Sequence, residues 1–143
     1  MSLADYAIIG DCRTSALASR DGAIDWLCLP RPHSPSIFAR VLDEQAGHLQ
    51  VRPIGPFTSS RGYAPATNVL ETRFECAEGA VRVRDVMPVG SEKARPRQLL
   101  PQHEVLREIT GIEGTVEVAL VYEPRPDYAR QAPRLLDRGP LGT

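Results

Sequence analysis

Leu70-Glu71-Thr72-Arg73-Phe74-Glu75-Cys76, followed by Glu78-Gly79 and Val81-Arg82-Val83-Arg84, alternates in side-chain character on both sides of a turn. Successive side chains of a strand point to opposite faces, so a period of two is the mark of a half-buried strand. Glu71, Arg73 and Glu75 share one face, and Leu70, Thr72, Phe74 and Cys76 share the other. Glu78-Gly79 reads as the turn of a hairpin that joins this strand to the next.

The same alternation recurs outward in both directions. Val116-Glu117-Val118-Ala119-Leu120-Val121-Tyr122 repeats it, with Gly111 to Gly114 read as the turn before it. In Glu104 to Ile109, Val105, Arg107 and Ile109 fall on one face, and Glu104, Leu106 and Glu108 on the other. Toward the N-terminus, Ala7-Ile8-Ile9, Ala16-Leu17-Ala18 and Ile24 to Leu29 read as strands separated by turns at Gly10-Asp11 and Arg20-Asp21-Gly22. His48-Leu49-Gln50-Val51 reads as another. One short helix is expected near residues 35–43: Ser34 can cap it, Pro35 suits its first position, and Ile37, Phe38, Val41 and Leu42 recur at helical spacing. Eight or nine short strands with one short helix predict a mainly β fold, an antiparallel β-sandwich. Ser91 to Gln98 reads as an exposed loop, and the tail after Glu123 has four prolines and little periodicity.

Composition bounds the rest. A chain of 143 residues suits one domain with one core. Thirteen prolines and eleven glycines interrupt it often, which favours short strands over long helices. A net charge of −1 supplies no field to steer the chain to nucleic acid, and no apolar run approaches the roughly 18 residues of a membrane span. Seventeen residues are basic and all but Lys93 are arginine. Such an excess serves carboxylate or phosphate recognition, or it reflects the base composition of the gene; the scatter of the arginines among acids favours the second. Cys12, Cys28 and Cys76 are odd in number and lack C-x-x-C spacing, so neither a metal site nor a disulfide framework is expected. Buried free thiols and a cytoplasmic location follow as expectations, as does the absence of a cofactor.

Two carboxyl groups roughly 5 to 9.5 Å apart can share acid and base work on one bond. Most of the eighteen acids lie on alternating strand faces, where a solvated charge is the simplest reading. Asp11, Asp25 and Asp85 stand out because each adjoins apolar residues near a turn or strand end. Asp25 precedes the only tryptophan, Trp26, and the two form either a sugar-stacking surface or a core anchor beside a turn-bonding carboxylate. Arg31 and His33 lie in a rigid polar loop able to project a recognition group, and His33 is there a candidate acid or base. No nucleophile elbow, phosphate loop or dinucleotide fingerprint is present.

A resemblance sharpens this. Asp11-Cys12-Arg13-Thr14, Asp21 through Arg31 and Ser34-Pro35-Ser36-Ile37-Phe38-Ala39 resemble the start of the bacterial glucoamylase- and trehalase-like enzymes of glycoside hydrolase family 15. Tyr63 with Pro65, Thr67 through Thr72, Val83 with Asp85, Met87-Pro88 and Pro124-Arg125 with Asp127-Tyr128 continue it in order. The resemblance implies the first part of an N-terminal, trehalase-like β-domain, which in the family precedes a helical (α/α)6 barrel carrying the catalytic glutamates. It therefore implies an incomplete β-domain over 1–130 with an irregular tail over 131–143, and no catalytic residue. The family usually has Phe-Asp where this chain has Pro32-His33, and Phe where it has Pro126.

Asp11, Asp25, Trp26, Arg31, His33 and Phe38 are then the residues expected near a barrel interface or a sugar. The leading expectation is a non-catalytic domain that braces a barrel absent from this chain. The alternatives are a stand-alone module that binds an α-glucoside, and a truncated protein that self-associates. An incomplete sandwich leaves edges and apolar faces open, which predicts a homo-oligomer.

Overall fold

The computed structural model describes residues 3–90 and 103–133, and within them the chain is built almost wholly from short antiparallel strands. A single 3-10 turn at Leu3–Asp5 leads into β1 (Ala7–Gly10), β2 (Ser15–Ala18), β3 (Ala23–Cys28), β4 (Ser36–Phe38) and β5 (His48–Pro53). Then follow β6 (Thr58–Tyr63), β7 (Leu70–Cys76), β8 (Gly79–Val86), β9 (Leu106–Gly114) and β10 (Val118–Glu123). Six of these form one sheet, in the order β1-β2-β3-β5-β10 with β4 also paired to β3; the other sheet runs β6-β7-β8-β9. Among the described residues no helix is long and apolar enough to cross a membrane.

The two sheets share their apolar faces, as the expected sandwich requires. Ile9, Ala16, Ala18, Ile24, Leu27 and Phe38 of the larger sheet pack with Leu70 of β7 and with Met87, just past the end of β8. A second cluster joins Val51 to Phe74, Val81 and Val83, with the Phe57 and Phe74 rings edge to face at 5.2 Å. Gly22 makes this approach possible. Its φ is +79°, and a Cβ there would meet the Val51 carbonyl oxygen at 2.1 Å and the Phe74 ring at 2.9 Å.

The decisive hairpin forms as its alternation predicts. Leu70, Thr72 and Phe74 are buried while Glu71, Arg73 and Glu75 face outward, and β7 pairs β8 from Leu70↔Asp85 to Cys76↔Gly79.

Three expectations are corrected. No helix occupies residues 35–43. Ser36 and Phe38 are instead buried in β4, opposite Cys28 and Leu27. The other edge of this segment is taken too: the Ile37 carbonyl accepts from the Arg125 amide at 3.0 Å and the Ser36 carbonyl from the Asp127 amide at 2.9 Å. With carbonyls committed across two neighbours, the backbone has none to spare for an α-helical ladder, and the helical spacing of apolar residues is overridden. Gly111 to Gly114 is not a turn but the end of β9, where Val81 faces Gly111 and Ala80 faces Glu113, leaving Ile112 as an extra bulged residue. The thiols are free, but only Cys28 is buried; Cys12 is exposed. The expected Ser91–Gln98 loop and the tail beyond residue 133 lie outside the described residues.

Candidate functional site

Asp25 is aimed by an irregularity of β3. Trp26 pairs with Leu17 and Ile24 with Ala18, so Asp25 between them has no partner on β2 and sits at a bulge. Its carboxylate is 1% exposed. The Tyr6 hydroxyl donates to Oδ2 at 2.8 Å and Arg40 Nε to Oδ1 at 2.7 Å. Arg40 comes from the loop that closes β4 onto β5, held by Ala39 and Arg40 amides on the Ala46 and Gly47 carbonyls.

Around this pair lies an open groove of about 530 Å³, lined by Tyr6, Asp21, Asp25, Arg40, Val41 through Glu44 and His48. Asp21 is tied down by the Gln50 side-chain amide at 2.9 Å and by the Ser19 hydroxyl. Burial, reinforced by the bond to Asp25, holds the Tyr6 phenol well above its ordinary range, so it remains a donor. Burial and then the Arg40 charge push His48 below its ordinary value, against a smaller opposing pull from Glu123. His48 Nδ1 is buried without a hydrogen-bond partner, with Glu123 Oε2 at 3.7 Å. Chemically, Asp25 is an anchored acceptor: a cation and a phenol already occupy it.

Asp11 plays a different part. Its Oδ1 accepts from the Arg13 amide at 2.9 Å and the Thr14 amide at 2.8 Å, stabilising the β1–β2 turn in which Cys12 has φ +67°. Thr14 then donates to the Cys28 carbonyl at 2.7 Å. The turn presents Arg13 toward the loop between β3 and β4. There Arg31 and His33 are exposed, and together with Arg13, Pro30, Pro32 and His103 they line a depression of about 460 Å³. Arg13 and His103 lie ninety residues apart in the sequence and become neighbours only through the fold.

The six predicted residues are thus distributed. Asp11 supports the loop cluster that holds Arg31 and His33, and Asp25 lines the groove. Trp26 packs against Tyr128 with ring centroids 6.3 Å apart. Phe38 is 3% exposed in the core, edge to face with Tyr122 at 6.1 Å.

Asp85 has a partner that the sequence does not disclose. Arg107 binds it bidentately, Nε to Oδ1 at 2.6 Å and Nη2 to Oδ2 at 3.0 Å. Arg107 Nη1 also donates to the Gly22 carbonyl at 2.9 Å and the Leu49 carbonyl at 3.3 Å, so one side chain joins both sheets. Among the described residues, no group of three or more His, Cys, Asp or Glu is placed to hold a metal ion.

Comparison with known proteins bears on this architecture. The chain is similar to the trehalase of Mycolicibacterium smegmatis, 37% identical over 139 residues, covering 90% of this chain and 21% of the relative. The Mycobacterium tuberculosis trehalase is also 37% identical, over 90% of this chain and 20% of its own length. Trehalase 1 of Sulfolobus acidocaldarius is 39% identical over 69% of this chain and 17% of its own. The chain therefore spans about a fifth of the length of the curated relatives it matches. No solved structure gives a significant match. The family profile described as trehalase-like, N-terminal, matches residues 2–139, and this chain belongs to that family.

Proposed function

We propose that this chain is a non-catalytic β-domain of a glucoamylase- or trehalase-like glycoside hydrolase of family 15, and that it braces a helical catalytic (α/α)6 barrel lying outside this chain. The observation that carries the reading is the family match over residues 2–139, set against relatives named trehalase that are about five times longer. The carboxylates support it. Asp11 is committed to backbone amides, Asp25 to Arg40 and Tyr6, and Asp85 to Arg107, so none of these three is poised to protonate a leaving group or activate water. Assay of the purified chain for glucose release from trehalose and from maltooligosaccharides tests this. No release is expected; sustained release by the chain alone overturns the reading.

A second reading, an α-glucoside-binding module, is favoured by the ring pair Trp26–Tyr128, in which Tyr128 is 43% exposed. Titration with trehalose or maltose while following Trp26 fluorescence separates the two, because a brace predicts no saturable change. A third, self-association of the chain, is supported by edge strand β10, where Leu120 is 68% and Tyr122 54% exposed. Light scattering that shows a stable monomer at high concentration excludes it.

A further inference from the structure

The outer face of the smaller sheet carries one arginine that the described residues leave electrostatically unmatched. On that face Arg84 lies between Glu71 at 2.6 Å and Glu108 at 3.4 Å, and Arg73 pairs with Glu75 at 2.9 Å. Arg82 differs. Its cross-strand neighbours are Arg73 on β7 and Thr110 on β9, and Ser60 on β6 continues the row opposite Arg73. Among the described residues no carboxylate lies within ion-pair reach of Arg82, and its Nε is buried without a hydrogen-bond partner. Like charges directly opposite one another destabilise a ladder, and a buried guanidinium N–H without an acceptor is costly.

Both deficits would be met by one oxyanion set between the two guanidinium groups, with the Ser60 and Thr110 hydroxyls at either side. Guanidinium forks match a carboxylate in shape and charge. The space exists: a shallow depression of about 370 Å³ lies over the row, bordered by Ser60, Glu71, Arg73, Arg82 and Ile112. A second depression of about 360 Å³ adjoins it, lined by Ala64, Val69, Val86 and Leu106, and Glu71 borders both. Leu106 is 47% and Ile112 40% exposed. An apolar patch beside a charged row on an open sheet resembles the core and rim of a protein interface, whereas small ligands favour enclosed clefts.

We propose that this face docks the catalytic region, and that an acidic side chain of that region inserts between Arg73 and Arg82. The inference rests on the bracing reading and adds to it the surface and the charge of the partner. Most of the length of the Mycolicibacterium smegmatis trehalase lies outside the segment matched here, so it supplies the partner for the test.

The experiment measures binding of the 143-residue chain to the remainder of that trehalase by biolayer interferometry, at low and at high salt. Wild type is expected to bind saturably and more weakly in high salt. Arg82→Glu is expected to weaken binding at least tenfold while its melting temperature stays at or above that of wild type, because the introduced carboxylate faces Arg73. Arg52→Glu, on an exposed site of the other sheet, is expected to leave binding unchanged. If Arg82→Glu binds like wild type, this face is not the dock and the bracing reading stands. If wild type fails to bind, the bracing reading fails and takes the inference with it. If millimolar acetate or phosphate alone raises the melting temperature of wild type but not of Arg82→Glu, the occupant is a free anion and the proposal is overturned.

Discussion

Asp25 and Asp85 are each 1% exposed and each bound by an arginine, yet they lie in contrasting surroundings. Asp85 and Arg107 are closed off, their side chains only 2% and 7% exposed, and every nitrogen of the Arg107 fork has an acceptor from β8, β5 or the Asp21-Gly22 turn. Arg40 over Asp25 is 20% exposed and borders a groove, with Asp21 at 3.9 Å as a looser second partner. The first pair joins two sheets; the second fixes a loop over a bulge. Burial of a carboxylate therefore says little about its task, and the completeness of its partner's bonds says more.

The largest expected effect follows from that difference. Arg107→Leu leaves Asp85 charged and unpaired and strips two carbonyls of a donor, so a loss of about 3–5 kcal/mol is expected from guanidinium unfolding. A loss below about 1 kcal/mol breaks the claim that this pair joins the sheets. Arg40→Gln removes a charged donor that water can partly replace, and about 1.5–3 kcal/mol is expected by the same measurement. Equal losses for the two variants would erase the distinction between a closed and an open pair. Tyr6→Phe takes a single hydroxyl from Asp25, with an expected cost of about 1 kcal/mol. A double-mutant cycle with Arg40→Gln sharpens this, since two donors on one carboxylate should couple.

The smallest effect is in pH. The fold holds His48 below its ordinary value of 6.5, chiefly by burial and then by Arg40. The unfolded chain takes up a proton first as pH falls, so this contribution is complete above the ordinary value and is lost as pH drops toward the folded pKa. Unfolding free energies between about pH 8 and about pH 5 should fall less steeply for His48→Gln than for wild type. A slope unchanged by the substitution would show that the groove does not hold His48 neutral.

What could be read from the sequence follows the range of the interactions involved. The β7–β8 hairpin was legible because alternation and turn chemistry act within a few residues and agree with each other. The strand β6 was not anticipated: Thr58 to Tyr63 has no apolar alternation, being an edge strand with mostly exposed side chains. The helix expected near 35–43 failed because chain segments ninety residues away claim the backbone of Ser36 and Ile37. Of the candidate site, Arg31 and His33 were visible as a rigid loop, but Arg13 and His103 join them only by folding. Alternation places Arg107 on the face of Val105 and Ile109, yet its role depends on the register that sets it opposite Asp85. Ion pairs across strands are invisible until that register is known.

The bulge at Asp25 makes β3 a strand of odd count set against an even ladder. On either side of it, Ile24 and Leu27 serve the same core although an uninterrupted alternation would place them on opposite faces. Deleting the one residue between Ile24 and Trp26 would restore an unbroken ladder and leave the Arg40 loop without its anchor. One residue thus sets both the register of the core strand and the anchor of the groove.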